Sequence, residues 1–97
     1  MSVIDEIVGE RSRQITSEGW TPEHDDAHTK NEMGKAAACY AINEIRTRGL
    51  LEIWPEQWDI MWFKPTTHRR NLVKAAALIV AEIERIDRAE LSKAKMA

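Results

Sequence analysis

RRNLVKAAALIVAEIERIDR, residues 69–88, decides the fold of this chain. On a wheel of about 100° per residue, Leu72, Val73, Ala76, Ile79, Val80, Ile83 and Ile86 share one broad arc, the pattern of a long amphipathic helix. Leu78 points elsewhere and hints at a second packing partner. Thr66 or Thr67 is placed to cap this helix, which is expected to run to about Ala94. Upstream, residues 50–65 (LLEIWPEQWDIMWFKP) have another character, holding Trp54, Trp58, Trp62 and Phe63 between Pro55 and Pro65. Pro55 can open a short helix with Trp58, Met61 and Trp62 on one side. A strand over Leu50 to Trp54 is the alternative.

Thr29 and Glu32 match the Ser/Thr-x-x-Glu box that opens another helix. It carries Met33, Ala36, Ala37, Tyr40, Ala41 and Ile45, mostly small side chains that let a second helix come close. Arg46 and Arg48 suit its negative end and Gly49 its stop. At the front, Ser2 with Asp5 three positions later resembles a capping box. Ile4, Ile7, Val8 and Ile15 fall on one stripe, and Gly19 follows. That predicts a helix over roughly residues 3–18. Between them, Thr21-Pro22-Glu23 can start one short turn.

The expected fold is therefore all-α, one domain over residues 1–97. Two long antiparallel helices form a hairpin through the Trp-rich connector, and a shorter helix lies at the front. A chain this short buries only about 60–65% of its unfolded surface. Self-association into a larger helical bundle is the simplest remedy for its wide apolar face.

Composition excludes several classes. Fourteen Lys and Arg face 16 Asp and Glu, a net charge of −2. That balance argues against a general nucleic-acid coat or a polybasic membrane binder. Cys39 alone cannot make an internal disulfide framework or a Cys-rich zinc module, which suits a reducing cytoplasm. The longest apolar run, Ala75 to Ala81, is far below the ~20 residues of a membrane span. Acids and bases throughout the first 20 residues leave no signal-peptide pattern.

Charged residues inside apolar stripes need partners. Arg11 lies within the stripe of the first helix and Asp87 within the arc of the last. Arg11 is expected to pair with Asp87, or with Glu84 one turn earlier, unless it snorkels to water.

Three patterns carry chemistry. EHDDAH, residues 23–28, brings His24, Asp26 and His28 together, and two histidines at i,i+4 can bind a divalent metal. There is no HExxH, however, and adjacent acids also suit a helix start. The second pattern is cationic. Residues 61–97 hold eight bases and four acids, whereas residues 1–60 hold six bases and twelve acids. Lys64, His68, Arg69, Arg70 and Lys74 surround a helix N-terminus, where free N–H groups already favour an anion. Trp54, Trp58 and Trp62 stand nearby as stacking groups for a base. The plain alternative is that the tryptophans cap the hairpin and the bases are solvated. Third, small all-α nucleotide pyrophosphohydrolases of the MazG-like kind hold magnesium with ExxE and ExxD pairs. ExxD occurs here at Glu23/Asp26, Glu56/Asp59 and Glu84/Asp87, ExxE nowhere. Cys39, amid AAACYA, reads as an inert buried thiol.

ERSRQITSEGWTPEHDD (10–26), HTKNEMGKAAACYA (28–41) and RRNLVKAAALIVAEIERIDR (69–88) together resemble small proteins encoded by phages and prophages. These read ERxRQ, EGW-PEHDD, H-x-x-GE-x-x-AAxxYA, a Trp-rich stretch ending in KP, and R-x-LVKAAALIxAEIERLDR. The resemblance covers most of the chain. It implies a phage or prophage origin and an all-helical fold, and no particular activity. Asn31 stands where those proteins have Gly before Glu, a mild change because Asn also tolerates left-handed backbone. In layout the chain is also similar to helical-hairpin phage proteins that oligomerise and sequester cyclic-nucleotide signals of bacterial immunity.

The expected function is thus a non-enzymatic phage accessory protein of the host cytoplasm, needing no cofactor. It is a homo-oligomer that binds a host defence protein or a small phosphorylated or nucleotide ligand. Its contact residues are Trp54, Trp58, Trp62, Lys64, His68, Arg69 and Arg70. The rival is a metal-dependent hydrolase using Glu6, Glu10, His24, Asp26, His28, Glu84 or Asp87.

Overall fold

A computed structural model describes residues 2–43 and 49–96. Ile45, Arg46 and Arg48, expected at the end of the third helix, lie outside these residues. The elements in order are α1 (Val3–Thr16), α2 (Pro22–Asp26), α3 (Glu32–Ile42), α4 (Leu50–Ile53), a 3₁₀ turn (Ile60–Trp62) and α5 (His68–Met96). Among the described residues there is no strand, so the strand alternative for Leu50 to Trp54 gives way to α4. Among the described residues no helix is long and apolar enough to cross a membrane.

Local chemistry explains most of the boundaries. The Ser2 hydroxyl accepts from the Asp5 amide at 3.1 Å and the Asp5 carboxylate accepts from the Ser2 amide at 3.3 Å, a complete capping box. The Thr21 hydroxyl caps α2 through the His24 amide, with Pro22 in its first turn. The Thr67 hydroxyl accepts from the Arg70 amide and opens α5. α3 departs from expectation. It starts at Glu32 behind Asn31, whose backbone is left-handed (φ 61°), and Thr29 does not cap it. The Glu32 carboxylate instead accepts from the Lys30 amide. Pro55 does not open a helix either. The chain turns there, and the helical piece, α4, precedes it.

α5 is the common wall against which α1, α2 and α3 pack. Its side toward the core is built from Ala75, Ala77, Leu78 and Ala81, which meet a small-residue face of α3 carrying Ala36 and Ala37. Small facing side chains let two helices approach closely and fill the space with backbone and Cβ atoms. Trp20, Met33, Tyr40, Trp54 and Trp58 supply the bulk of the remaining core.

This packing decides which faces lie inside. Leu78 is wholly buried, whereas Leu72, Ile79, Val80, Ile83 and Ile86 of the broad arc stay exposed. In α1 the expected apolar stripe is likewise turned outward at Ile4 and Val8, and the buried residues are Glu10, Arg11 and Gln14. In α1 the polar side is held inward by the bonds of Glu10 to Arg70 and of Gln14 to the Lys74 carbonyl. The alanine face of α5 is the one that fits α3, and choosing it forces the larger apolar side chains to the outside.

Candidate functional site

The polar side of α1 builds a network against the start of α5. The Glu10 carboxylate is fully shielded and accepts from Arg13 at 2.8 and 2.9 Å, from the Gln14 amide at 3.2 Å and from Arg70. Gln14 also donates to the Lys74 carbonyl at 3.4 Å. One turn earlier, Glu6 takes a two-pronged contact from Arg69, both bonds 2.9 Å. From the connector, the Lys64 amide donates to the Tyr40 hydroxyl, and Lys64 Nζ reaches both Glu18 oxygens at 3.2 Å. Lys74 Nζ turns inward, donating to the Lys64 carbonyl at 2.8 Å over the Tyr40 ring.

These groups enclose a pocket of about 210 Å³ between α1, α5 and the connector, to which α3 contributes Tyr40. Its charged lining is Arg13, Lys64, Arg70 and Lys74 against Glu10 and Glu18, a cationic excess. Gln14 lines it too, and its buried Oε1 has no donor. A buried acceptor left unpaired costs about 1–3 kcal/mol and calls for a reason.

The electrostatics follow from burial and pairing. Burial pushes the Glu10 carboxyl upward, but the Arg13 hydrogen bonds, the Arg13 and Arg70 charges and the Gln14 amide outweigh it, leaving Glu10 below the ordinary range. Lys74 lies below the usual lysine value because burial disfavours its ammonium. Burial likewise raises the Tyr40 phenol and takes the Cys39 thiol to about 11.

The tryptophans expected to stack on a base are elsewhere. Trp54 and Trp58 are buried, with the Trp54 indole N–H donating to the Trp58 carbonyl at 3.2 Å. They fill the end of the core with Trp20 and Phe63 because the alanine-faced helices offer little other bulk. Trp62 alone of the three is exposed, packed on Trp58. Of the expected basic residues, Lys64, Arg70 and Lys74 meet in the pocket. Arg69 lies outside it on Glu6, and His68 is exposed at the first position of α5.

His24 and His28 do come together, with Nε2 atoms 3.2 Å apart. Asp25 lies 3.1 Å from Nδ1 of His24 and Glu32 lies 3.2 Å from Nδ1 of His28. Asp26, expected beside them, instead takes two bonds from Arg88 at 2.8 and 3.0 Å. Among the described residues no group of three or more His, Cys, Asp or Glu side chains could hold a metal ion. The carboxylates named for a hydrolase are dispersed: Glu6 and Glu10 on arginines, Glu84 beside Arg11, and Asp87 exposed.

Arg11 does not pair with Asp87, nor does it snorkel. It is buried, donating to Asp25 at 2.7 Å and to the Trp20 carbonyl at 3.0 Å, with Glu84 3.7 Å from its Nε. α2 brings Asp25 under α1, while the turn of α5 that carries Asp87 faces water. The expected Glu84 partner is present, in second place.

Arg13, Gln14 and Tyr40 were not singled out by sequence, and Glu10 was named only for the rival hydrolase. A signal did exist for three of them, because positions 10, 13 and 14 share a helix face. Compared with known proteins, the chain matches no family model, no curated protein and no solved structure.

Proposed function

We propose that this protein is a non-enzymatic, phage-encoded accessory protein that holds a small phosphorylated ligand in the pocket between α1, α5 and the connector. The role that suits such binding is sequestration of a nucleotide signal of host defence. α3 and α5 serve as the antiparallel hairpin that supports the site. The phage assignment comes from the sequence resemblance. The binding assignment is carried by one observation, a cationic pocket whose buried Gln14 Oε1 lacks a donor.

Each wall has a chemical use. Lys64 is exposed and pairs with Glu18 at the rim, where an ion pair is worth about 0–1 kcal/mol and exchanges readily for a phosphate. Arg70 stays on the shielded Glu10 and adds fixed positive charge to the wall. Gln14 Oε1 would accept from a ligand hydroxyl or amine. At about 210 Å³ the cavity lies below the roughly 300–1,000 Å³ of drug-sized sites. That size favours a sugar phosphate or the phosphate end of a mononucleotide.

Calorimetric titration with ribose 5-phosphate and AMP tests the assignment. One site per chain is expected, weakened at least tenfold by Lys64→Ala, whose side chain is 60% exposed and dispensable for folding. Absence of binding by both probes up to millimolar concentration would overturn it. Heat release after incubation with magnesium should return AMP intact, whereas turnover would favour the hydrolase.

A further inference from the structure

We propose that the outer face of α5 is a coiled-coil seam that docks a second copy of this chain, antiparallel, about a two-fold axis. Leu72, Ala76, Ile79, Ile83 and Ile86 follow one another at spacings of 4, 3, 4 and 3, the alternation of core positions in a heptad repeat. Leu72 is 44% exposed, Ile79 48%, Ile83 52% and Ile86 42%. The buried residues Lys74, Ala77, Leu78 and Ala81 occupy the opposite side of the helix, so the seam is unused within the chain.

Area identifies the occupant. A folded monomer of 11.1 kDa exposes about 5,700 Å². This chain exposes 6470 Å², a surplus of about 800 Å², which is what one partner contributes to a stable interface. Its radius of gyration, 13.9 Å, likewise exceeds the about 12.5 Å of a compact chain this long. A seam of this kind needs a matching seam. A second α5 supplies one by symmetry, as an isologous contact requires.

Charge sets the direction. Beside the seam, α5 carries Arg69 near its start and Asp87 and Glu90 near its end. Antiparallel packing brings the basic turns of one copy toward the acidic turns of the other, and parallel packing sets like against like. The pocket residues Arg70 and Lys74 lie off the seam, so this inference does not depend on the ligand reading.

Sedimentation of the full chain at 100 µM tests it. Wild type should run at twice 11.1 kDa, and I79E/I83E should run at 11.1 kDa with unchanged helical circular dichroism. Both side chains are exposed in the single chain, so the double variant keeps its fold. Val8→Glu, on the outer face of α1, should leave the dimer intact. A spin label on Ser92→Cys should report a separation above about 30 Å if the axis lies near residue 81, against about 10 Å for parallel packing. A monomeric wild type, a dimer that survives I79E/I83E or is lost in Val8→Glu, or a short label distance would each overturn the proposal.

Discussion

At the scale of single residues, Arg11 shows how a buried charge is tolerated. Two of its nitrogens are satisfied by Asp25 and the Trp20 carbonyl, while Nε faces Glu84 too far away for a hydrogen bond. Removing the near partner from a buried pair costs about 3–5 kcal/mol, because the charge left behind keeps only the longer contact to the half-exposed Glu84. Asp25→Ala is therefore expected to lose that much in urea unfolding. Glu84→Gln, at a half-exposed site, should lose less than about 1 kcal/mol. The sequence showed that Arg11 needed a partner, and it named Asp87 first and Glu84 second. It could not show Asp25, because only folding brings α2 beneath α1. Cys39 gives a second expectation at this scale. A buried thiol with its pKa near 11 stays protonated at pH 8. Alkylation by iodoacetamide should proceed no faster than the chain opens, and a free-thiol rate in native buffer would contradict the packing.

At the scale of elements, α5 has two faces of different value. Leu78 is sealed between α5 and α3, so Leu78→Ala should destabilise by about 2–5 kcal/mol. Ala77 and Ala81 allow the close approach, and Ala81→Leu should cost about 1–3 kcal/mol by overpacking. Ile86→Ala, on the outer face, should change the stability of the isolated chain by under about 0.5 kcal/mol. Denaturant midpoints for the three variants check the order. The periodicity marked the apolar arc as a wide face with little to cover it, and the arc is exposed. Hydrophobicity ranks Ile above Ala, but fit between two alanine-rich helices decided which face was buried. The connector shows the same limit. Four aromatic residues marked a cluster, and only the packed end of the core could turn Trp54 and Trp58 inward while leaving Trp62 out.

At the scale of the whole molecule, acid stability reports the α1–α5 network. Glu6, Glu10 and Glu32 have folded-state values below the ordinary 4.5. For Glu6 the Arg69 hydrogen bonds are the main cause, and for Glu10 and Glu32 hydrogen bonds and nearby cations overcome burial. A depressed carboxylate binds fewer protons when folded, so its stabilisation is complete above about pH 4.5 and is lost as pH falls through the folded value. Thermal unfolding should show a plateau above pH 5 and a steep decline below 4.5. Glu10→Gln, neutral at every pH, should be less stable at pH 7 and show a shallower decline. An unchanged slope would mean that the carboxylate is not held by Arg13 and Arg70.

The sequence by itself determined α1, α2 and α5, because caps and periodicity are local: Ser2 with Asp5, Thr21 with Pro22, and Thr67 all act within one turn. It also determined that positive charge gathers from Lys64 to Lys74. Only the tertiary structure decided which side of each helix is inside, since that depends on matching two surfaces remote in sequence. It alone joined Glu10 and Gln14 of α1 to Arg70 and Lys74 of α5 around a pocket, because helices pack as rigid bodies and carry their polar residues with them.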